Sequence, residues 1–321
     1  MLKLTRQNRT VYGDMAVTSG RNILRKRIWY YRSAYLFLLP AVVWYVVFHY
    51  IPIYGLILGF KDFSFSKGIL GSPWIGFRYF EDFLTDVEFY KVVRNTLTIS
   101  ISKLAFGFPA PIILALMLNE VRNGRFKKII QTVSYLPHFI SWVVVVTLMS
   151  KFLSPTSGLI NEILINIGYE PVYFMGKKSL FLPLVIMSDI WKNIGWGSII
   201  YLAALTNIDP SLYEAATIDG AGRWKSLVHI TLPGLKPTIG ILFIMSLAGV
   251  FNAGFDQLYL MQNPSVADVA EVLDTYVLRR GLLNGQFGYS TAVGLFQSII
   301  TLILIVSVNA ASKKLTEVSL W

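Results

Sequence analysis

Residues 181–236 decide how this chain folds. They read FLPLVIMSDIWKNIGWGSIIYLAAL (181–205), followed directly by TNIDPSLYEAATIDGAGRWKSLVHITLPGLK (206–236). A hydrocarbon core about 30 Å thick needs about 20 helical residues, so the first part predicts a membrane-crossing helix. The second part is more than a link. Asp209 followed by Pro210 reads as an N-cap with proline at the first helical position, and Glu214 falls in the second turn. Gly220 and Gly222 supply a stop, and a second short helix is expected over 223–230, ending before Pro233. Two short helices meeting at a glycine elbow, with a small face (Ala215, Ala216, Ala221) and one carboxylate, form a rigid element suited to docking on another protein. The alternative is a helical hairpin on the membrane surface with no partner.

Outward from this stretch, apolar runs at 34–60, 92–120, 129–151, 237–261 and 288–311 are also long enough to cross a bilayer. With 181–205 they make six spans. Internal prolines at 40, 52, 109, 111, 137 and 183 are tolerated in a bilayer where neighbouring groups satisfy the freed carbonyls. The composition agrees: 54% of the 321 residues are hydrophobic, whereas 15% are charged against about 25% in an average soluble domain. An all-α polytopic membrane protein is expected, divided into a cytoplasmic basic segment 1–33, a transmembrane region 34–311 and a cytoplasmic tail 312–321.

Basic residues set the direction. The two tails and loops 120–128 and 206–236 hold 17 Lys and Arg, against 8 in loops 61–91, 152–180 and 262–287. That asymmetry places both termini in the cytoplasm. Acidic residues run the other way, 6 inside and 10 outside, so the formal +11 is a topology signal and not a nucleic-acid patch. The first apolar run is too long, and starts too late, for a removable signal peptide, and it stays in the membrane. Before it, Arg21, Arg25, Lys26, Arg27 and Arg32 alternate with Ile23, Leu24, Ile28 and Trp29, a pattern that anchors at anionic headgroups.

Several chemistries are excluded. With no cysteine there is no disulfide framework and no thiolate site, and His49, His138 and His229 are too scattered to hold a metal. Gly176-Lys177-Lys178-Ser179 lacks the earlier glycine of a phosphate loop. No triad or paired carboxylates indicate an enzyme.

The segment Glu214-Ala215-Ala216, three residues, Gly220, nine residues, Ile230-Thr231-Leu232-Pro233 resembles the EAA loop of the membrane subunits of binding-protein-dependent ABC importers. Leu39-Pro40, Tyr50-Ile51-Pro52-Ile53-Tyr54-Gly55, the run Tyr135-Leu136-Pro137-His138-Phe139-Ile140-Ser141-Trp142 and Gly158-Leu159-Ile160-Asn161 extend the likeness over nearly the whole chain. They resemble the oligo- and polysaccharide branch of sugar-importer permeases, and within it the alginate importers most. The resemblance implies a type I ABC importer permease of six transmembrane helices in a bacterial inner membrane. Its loop 206–236 would seat in a cleft of a cytoplasmic ATPase. Glu214 would face a basic group there, Ala215 and Ala216 would permit close approach, Gly220 would make the turn, and Ile230, Leu232 and Pro233 would anchor the hairpin. It further implies a second, related permease chain, two ATPase subunits that bind ATP and Mg, and an extracytoplasmic binding protein. No cofactor is expected in this chain.

A substrate path is sought among polar groups inside spans. Asp189, Lys192, Asn193 and Trp196 recur at i, i+3, i+4 and i+7, on one helical face. Asn252, Phe255, Asp256 and Tyr259 repeat that spacing. Carboxylate, amide and ring together suit a saccharide. The competing reading makes Asp189 and Lys192 a structural pair with Trp196 at a helix interface. Four basic groups in the spans, Arg94, Lys103, Lys151 and Lys192, mildly favour an anionic sugar such as a uronate chain. A short amphipathic helix is expected over 158–167, leading an aromatic-rich outer loop. An ion-coupled secondary transporter would also use mid-membrane Asp189, but it has no use for the hairpin.

Overall fold

The computed structural model describes residue 27 and residues 29–316. Arg21, Arg25 and Lys26 of the basic segment, and the last five residues of the tail, lie outside them. The chain forms two units, with the boundary between Ile57 and Leu58. In the first, α1 (Arg32–Tyr45) continues through a π turn at Val46–Tyr50 and a turn at Ile51–Ile53. Pro40 sits inside this helix.

Among its described residues the second unit has helices, turns and loops and no strand, apart from one isolated bridge between Lys61 and Trp74. After a single helical turn at Gly68–Gly71, α2 (Arg78–Thr85) leads into α3 (Phe89–Gly107). The chain stays helical through Phe108 into α4 (Pro109–Glu120). Then come α5 (Gly124–Tyr135), α6 (Trp142–Phe152), α7 (Leu159–Asn166) and α8 (Lys178–Leu205). After the loop helix α9 (Pro210–Ile218), the chain enters α10 (Leu232–Ala248), α11 (Phe255–Met261), α12 (Leu273–Leu278) and the 30-residue α13 (Phe287–Thr316). Helix α8 is central, packing against α3, α4, α5 and α10.

Among the described residues, four helical stretches are long and apolar enough to cross a membrane: Arg32–Phe60, Phe89–Glu120, Arg223–Leu247 and Phe287–Ala310. A bent pair, Gly124–Phe139 with Trp142–Phe152, makes a fifth if counted as one span. Three sequence expectations change here. The third span is not one straight helix but turns by 101° at its break, because Pro137 removes a backbone donor and Ser141 starts a new helix by capping Val144. The fourth is a helix of 28 residues, yet Asp189, Lys192 and Asn193 dilute its hydropathy below that of a self-sufficient crossing. The fifth does not run over 237–261. Its helix begins at the loop, ends at Ala248, and restarts at Phe255 after a break centred on Gly254, which takes a left-handed φ of 93°.

Both breaks are held by lysines. Lys192 is 6% exposed, and its Nζ donates to the carbonyls of His138 (2.6 Å), Ile140 (2.6 Å) and Pro137 (3.4 Å). Lys103 Nζ donates to the Ala253 carbonyl at 2.8 Å. A Cβ at Gly254 would stand 2.7 Å from that ammonium, the movable end of a long side chain, so it is the left-handed φ that calls for glycine at this break.

The loops at the end where α8 begins are braced by charge. Lys178 pairs with Asp268. Asp86 Oδ2 accepts from Arg280 Nη2 (2.5 Å) and from the hydroxyls of Tyr276 (3.1 Å) and Tyr289 (3.3 Å). Arg279 bridges Glu271 (2.6 Å) and Glu88 (2.8 Å). In loop 152–180, buried Asn161 donates to the Leu153, Ser154 and Val172 carbonyls and accepts from Val172 N–H, fixing α7 behind its Gly158 N-cap.

Burial alone would raise the Asp86 and Glu88 carboxyls. The Glu88 N–H, Tyr276 and Arg280 outweigh it at Asp86, as Arg279 and Lys91 do at Glu88, and both are held below the usual range. A depressed folded-state pKa stabilises above the unfolded value and is lost as pH falls through the folded one. Thermal stability of the detergent-solubilised protein is therefore expected to be flat from pH 7 to about 4.5 and to fall below about 4. Arg280→Met should flatten that acid limb, read by intrinsic-fluorescence melting. Separately, Lys192→Met leaves the carbonyls of the third-span break without their donor and should lower stability by about 1–3 kcal/mol, read in the same melt.

Candidate functional site

Two places carry the candidate residues: a cleft inside the bundle and the hairpin beyond α8. The cleft, about 450 Å³, lies among α3, α4, α8, α10 and the break before α11. Helix α8 contributes Asp189, Asn193, Trp196 and Gly197, and α3 contributes Ser100, Lys103, Leu104 and Gly107, each set at helical spacing along one face. Asn252 joins from the break.

A polar chain crosses the floor. The amide of Asn193 is oriented so that Nδ2 donates to Asp189 Oδ1 (3.2 Å) and Oδ1 accepts from His138 Nδ1 (3.1 Å). That places the His138 proton on Nδ1. The His138 ring stacks on Trp196 at 4.7 Å with the planes 2° apart, and Phe139 meets the same indole edge-on at 5.7 Å. One face of Trp196 is thus covered while the residue stays 47% exposed and lines the cleft. The partner of Asp189 is not Lys192 but Lys103, at 3.7 Å. Fixed donors, an acceptor and a supported ring at mid-depth suit a ligand with many hydroxyls and an apolar ring face.

Of the expected substrate-path residues, Asp189, Asn193, Trp196 and Asn252 line this cleft. Lys192 does not, being turned to the third-span break. Asn252 precedes α11, so it shares no helical face with Phe255, Asp256 and Tyr259. Phe255 and Tyr259 stack on each other at 5.4 Å, and Asp256 and Tyr259 are exposed outside the cleft. The sequence reading missed Ser100 and the role of Lys103; the available signal was a cation in the middle of an otherwise apolar span.

The hairpin is built by local rules. Asp209 caps α9 by accepting from Ser211 N–H (2.9 Å). Ala221 N–H bonds the Ala216 carbonyl (2.8 Å) and Gly220 N–H the Thr217 carbonyl (3.1 Å), with Gly220 at φ 74°. This pair of bonds is a Schellman stop, which needs a left-handed residue at the position of Gly220. The second arm differs from expectation, since no short helix ends before Pro233. Arg223–Ser226 passes through a π turn, Leu227–Thr231, straight into α10. The π turn lets Leu232 N–H reach the Leu227 carbonyl, relieving the crowding that Pro233 would impose on a regular helix.

The arms are tied where Tyr213 Oη meets Thr231 Oγ1 at 3.0 Å. Thr231 and Leu235 are buried at the root, the latter against Ala115, Tyr201 and Leu205. Ile230 and Leu232 are half-buried, and Pro233 is exposed. At the tip, Glu214 and Ala215 are exposed and Ala216 half-buried. They stand beside Leu212, Ile218 (87% exposed) and Trp224 (75% exposed).

Comparison with known proteins follows this geometry. Residues 107–316 match the family described as binding-protein-dependent transport system inner membrane component. The chain is 45% identical over 287 residues to the polygalacturonan/rhamnogalacturonan transport system permease protein YteP of Bacillus subtilis (strain 168), covering 89% of each. To protein LplB of the same organism it is 42% identical over 310 residues, covering 95% of this chain and 96% of that one. Among solved structures, it superposes with a TM-score of 0.85 and 41% identity on a chain of a bacterial ABC transporter involved in the import of the acidic polysaccharide alginate, covering 91% of this chain and 99% of that one. An alginate transporter in complex with its alginate pentasaccharide-bound periplasmic protein gives 0.84 and 39%, over 92% and 99%. This likeness gives the chain the type I ABC importer permease architecture and does not favour an ion-coupled carrier. The chain belongs to the family of binding-protein-dependent transport system inner membrane components.

Proposed function

We propose that this chain is one permease subunit of an ATP-driven importer for an oligo- or polysaccharide. It forms half of a translocation pore with a second, related permease. Two ATPase subunits, which bind ATP and Mg, drive it from the cytoplasm, and an extracytoplasmic binding protein delivers the sugar. Both termini and the 206–236 hairpin face the cytoplasm, with residues 34–311 in the bacterial inner membrane.

One observation carries the reading: a hairpin braced at its root presents Glu214 at its tip amid exposed apolar side chains. An exposed Ile218 and Trp224 are costly unless they are covered by another protein. A carboxylate beside small residues, held by a Schellman turn and a cross-arm hydrogen bond, transmits motion because it has little freedom of its own. On this reading Glu214 meets a basic group of the ATPase, Ala215 and Ala216 allow close approach, Gly220 sets the turn, and Ile230, Leu232 and Pro233 join the hairpin to α10. The cleft supports the saccharide part. Asp189, Asn193 and Asn252 offer hydrogen bonds and Trp196 offers a ring, and two of the relatives above carry polysaccharides in their names or titles.

The test is reconstitution of the full complex in proteoliposomes. Glu214→Lys reverses one partner of an interfacial charge pair, a change that costs about 2–5 kcal/mol of docking energy. Uptake and binding-protein-stimulated ATP hydrolysis should fall to background, while membrane insertion and melting temperature stay as in wild type because Glu214 is exposed. Gly220→Pro should do the same by destroying the left-handed turn. Wild-type uptake by either variant refutes the assignment.

A further inference from the structure

Ser100 is the residue of the cleft that nothing in the fold explains. Thr96, Ser134, Thr147, Ser188 and Ser246 each turn their hydroxyl back onto the carbonyl four residues earlier in their own helix. Ser100 does not. It lines the cleft, is 5% exposed, and its Oγ has no hydrogen-bond partner. A buried hydroxyl without a partner is unfavourable, and here the self-satisfying solution used by its neighbours is left aside.

Asp189 is half-used in the same way. Its Oδ1 takes the Asn193 amide and faces Lys103. Its Oδ2 accepts no hydrogen bond among the described residues and looks across the cleft toward α3, where a Cβ at Gly107 would stand 3.7 Å away. Ser100 and Asp189, the residues that carry these two spare groups, line a single space with Trp196.

Charge narrows the ligand. Lys103 and Asp189 are the two charged residues lining the cleft, and they face each other, so the space has no net charge to offer. The ammonium is engaged by the Ala253 carbonyl and Asp189. A substrate carboxylate reaching Lys103 would have to settle beside the carboxylate of Asp189, which like-charge repulsion opposes. A hydroxyl meets no such opposition, and it donates to Asp189 Oδ2 while accepting from Ser100.

We propose that the cleft recognises the hydroxyl edge of a pyranose ring through Ser100 Oγ and Asp189 Oδ2, over Trp196, and makes no use of a substrate carboxylate. This rests on the saccharide-importer reading above. Selection for acidic sugars then lies outside this cleft.

The test uses the full importer complex in nanodiscs without the binding protein. Binding of tritiated oligogalacturonate is competed with the unlabelled acid and with its carboxyl-reduced, uncharged counterpart. The expected result is that the two competitors displace label within about threefold of each other. Ser100→Ala should weaken both competitors by the same factor, about five- to tenfold for a lost hydrogen bond, whereas Asp189→Asn should weaken the uncharged counterpart by that factor and the acid by less, because Lys103 then loses its paired carboxylate. If Ser100→Ala disturbs folding, judged by melting temperature, Asp189→Asn decides alone, since it keeps the shape of the side chain. A neutral competitor that fails to displace, or variants that change neither affinity, overturn the proposal while wild-type uptake leaves the importer reading standing. A wild-type complex that neither binds nor transports either sugar overturns both.

Discussion

Hydrocarbon offers no hydrogen-bond partners, so a helix that breaks inside a membrane must find donors for its freed carbonyls from the protein itself. Two spans of this chain break, one at 137–141 and one at 249–254, and each break is met by a lysine from a neighbouring helix. The arrangement spends two buried cations on backbone geometry. What it yields is a cleft, since a bundle of unbroken helices would close over the space that Gly249, Val250 and Asn252 border from the second break. The polar chain from His138 through Asn193 and Asp189 to Lys103 runs from one break to the other, so the ligand-facing groups and the groups that hold the breaks are one network.

This explains why Asp189 is tolerated at mid-depth. Its charge is balanced across the helix pair by Lys103, which sits 86 residues earlier in sequence, while Lys192, on the next turn of the same helix, is committed elsewhere. A structural pair was a reasonable expectation for the acid, but the wrong lysine answers it. Trp196 combines both roles weighed for it: it packs at a helix interface through His138 and Phe139 and still lines the cleft.

Legibility in the sequence followed the range of the forces involved. The α9 cap, the Gly220 turn and the shared face of Asp189, Asn193 and Trp196 are set within one or two turns of chain and were readable from residue order. The break at Gly254 was not. Gly249, Val250 and Phe251 continue the apolar run, so hydropathy passes smoothly through a point where the helix ends, and the ammonium that stabilises the ending comes from α3. Pro233 misled in the opposite direction: as a stop signal it predicts an end, yet one π turn absorbs it and the helix goes on. Asn252 was named for a helical periodicity that does not exist, and it reaches the cleft from the break instead.

The continuity past Pro233 gives the molecule its mechanical logic. From Arg223 to Leu247 the helix is uninterrupted for 25 residues, about 37 Å at 1.5 Å per residue. About a third of the way along it Thr231 is tied to Tyr213 of the hairpin, and just beyond its far end lies the break whose Ala253 carbonyl is held by Lys103. Had the second arm stopped before Pro233, a flexible joint would stand between them, and movement of the hairpin would be absorbed there. With the joint replaced by a π turn, the proposed coupling has a single rod along which displacement of the hairpin would reach the cleft. The rod ends at the 249–254 break, which is fixed by Lys103 on the Ala253 carbonyl, by the Gln297 amide on the Phe251 carbonyl and by burial of Phe251 and Ala253, so a displacement arriving there would pass to α3 and α13, the helices that carry those two donors.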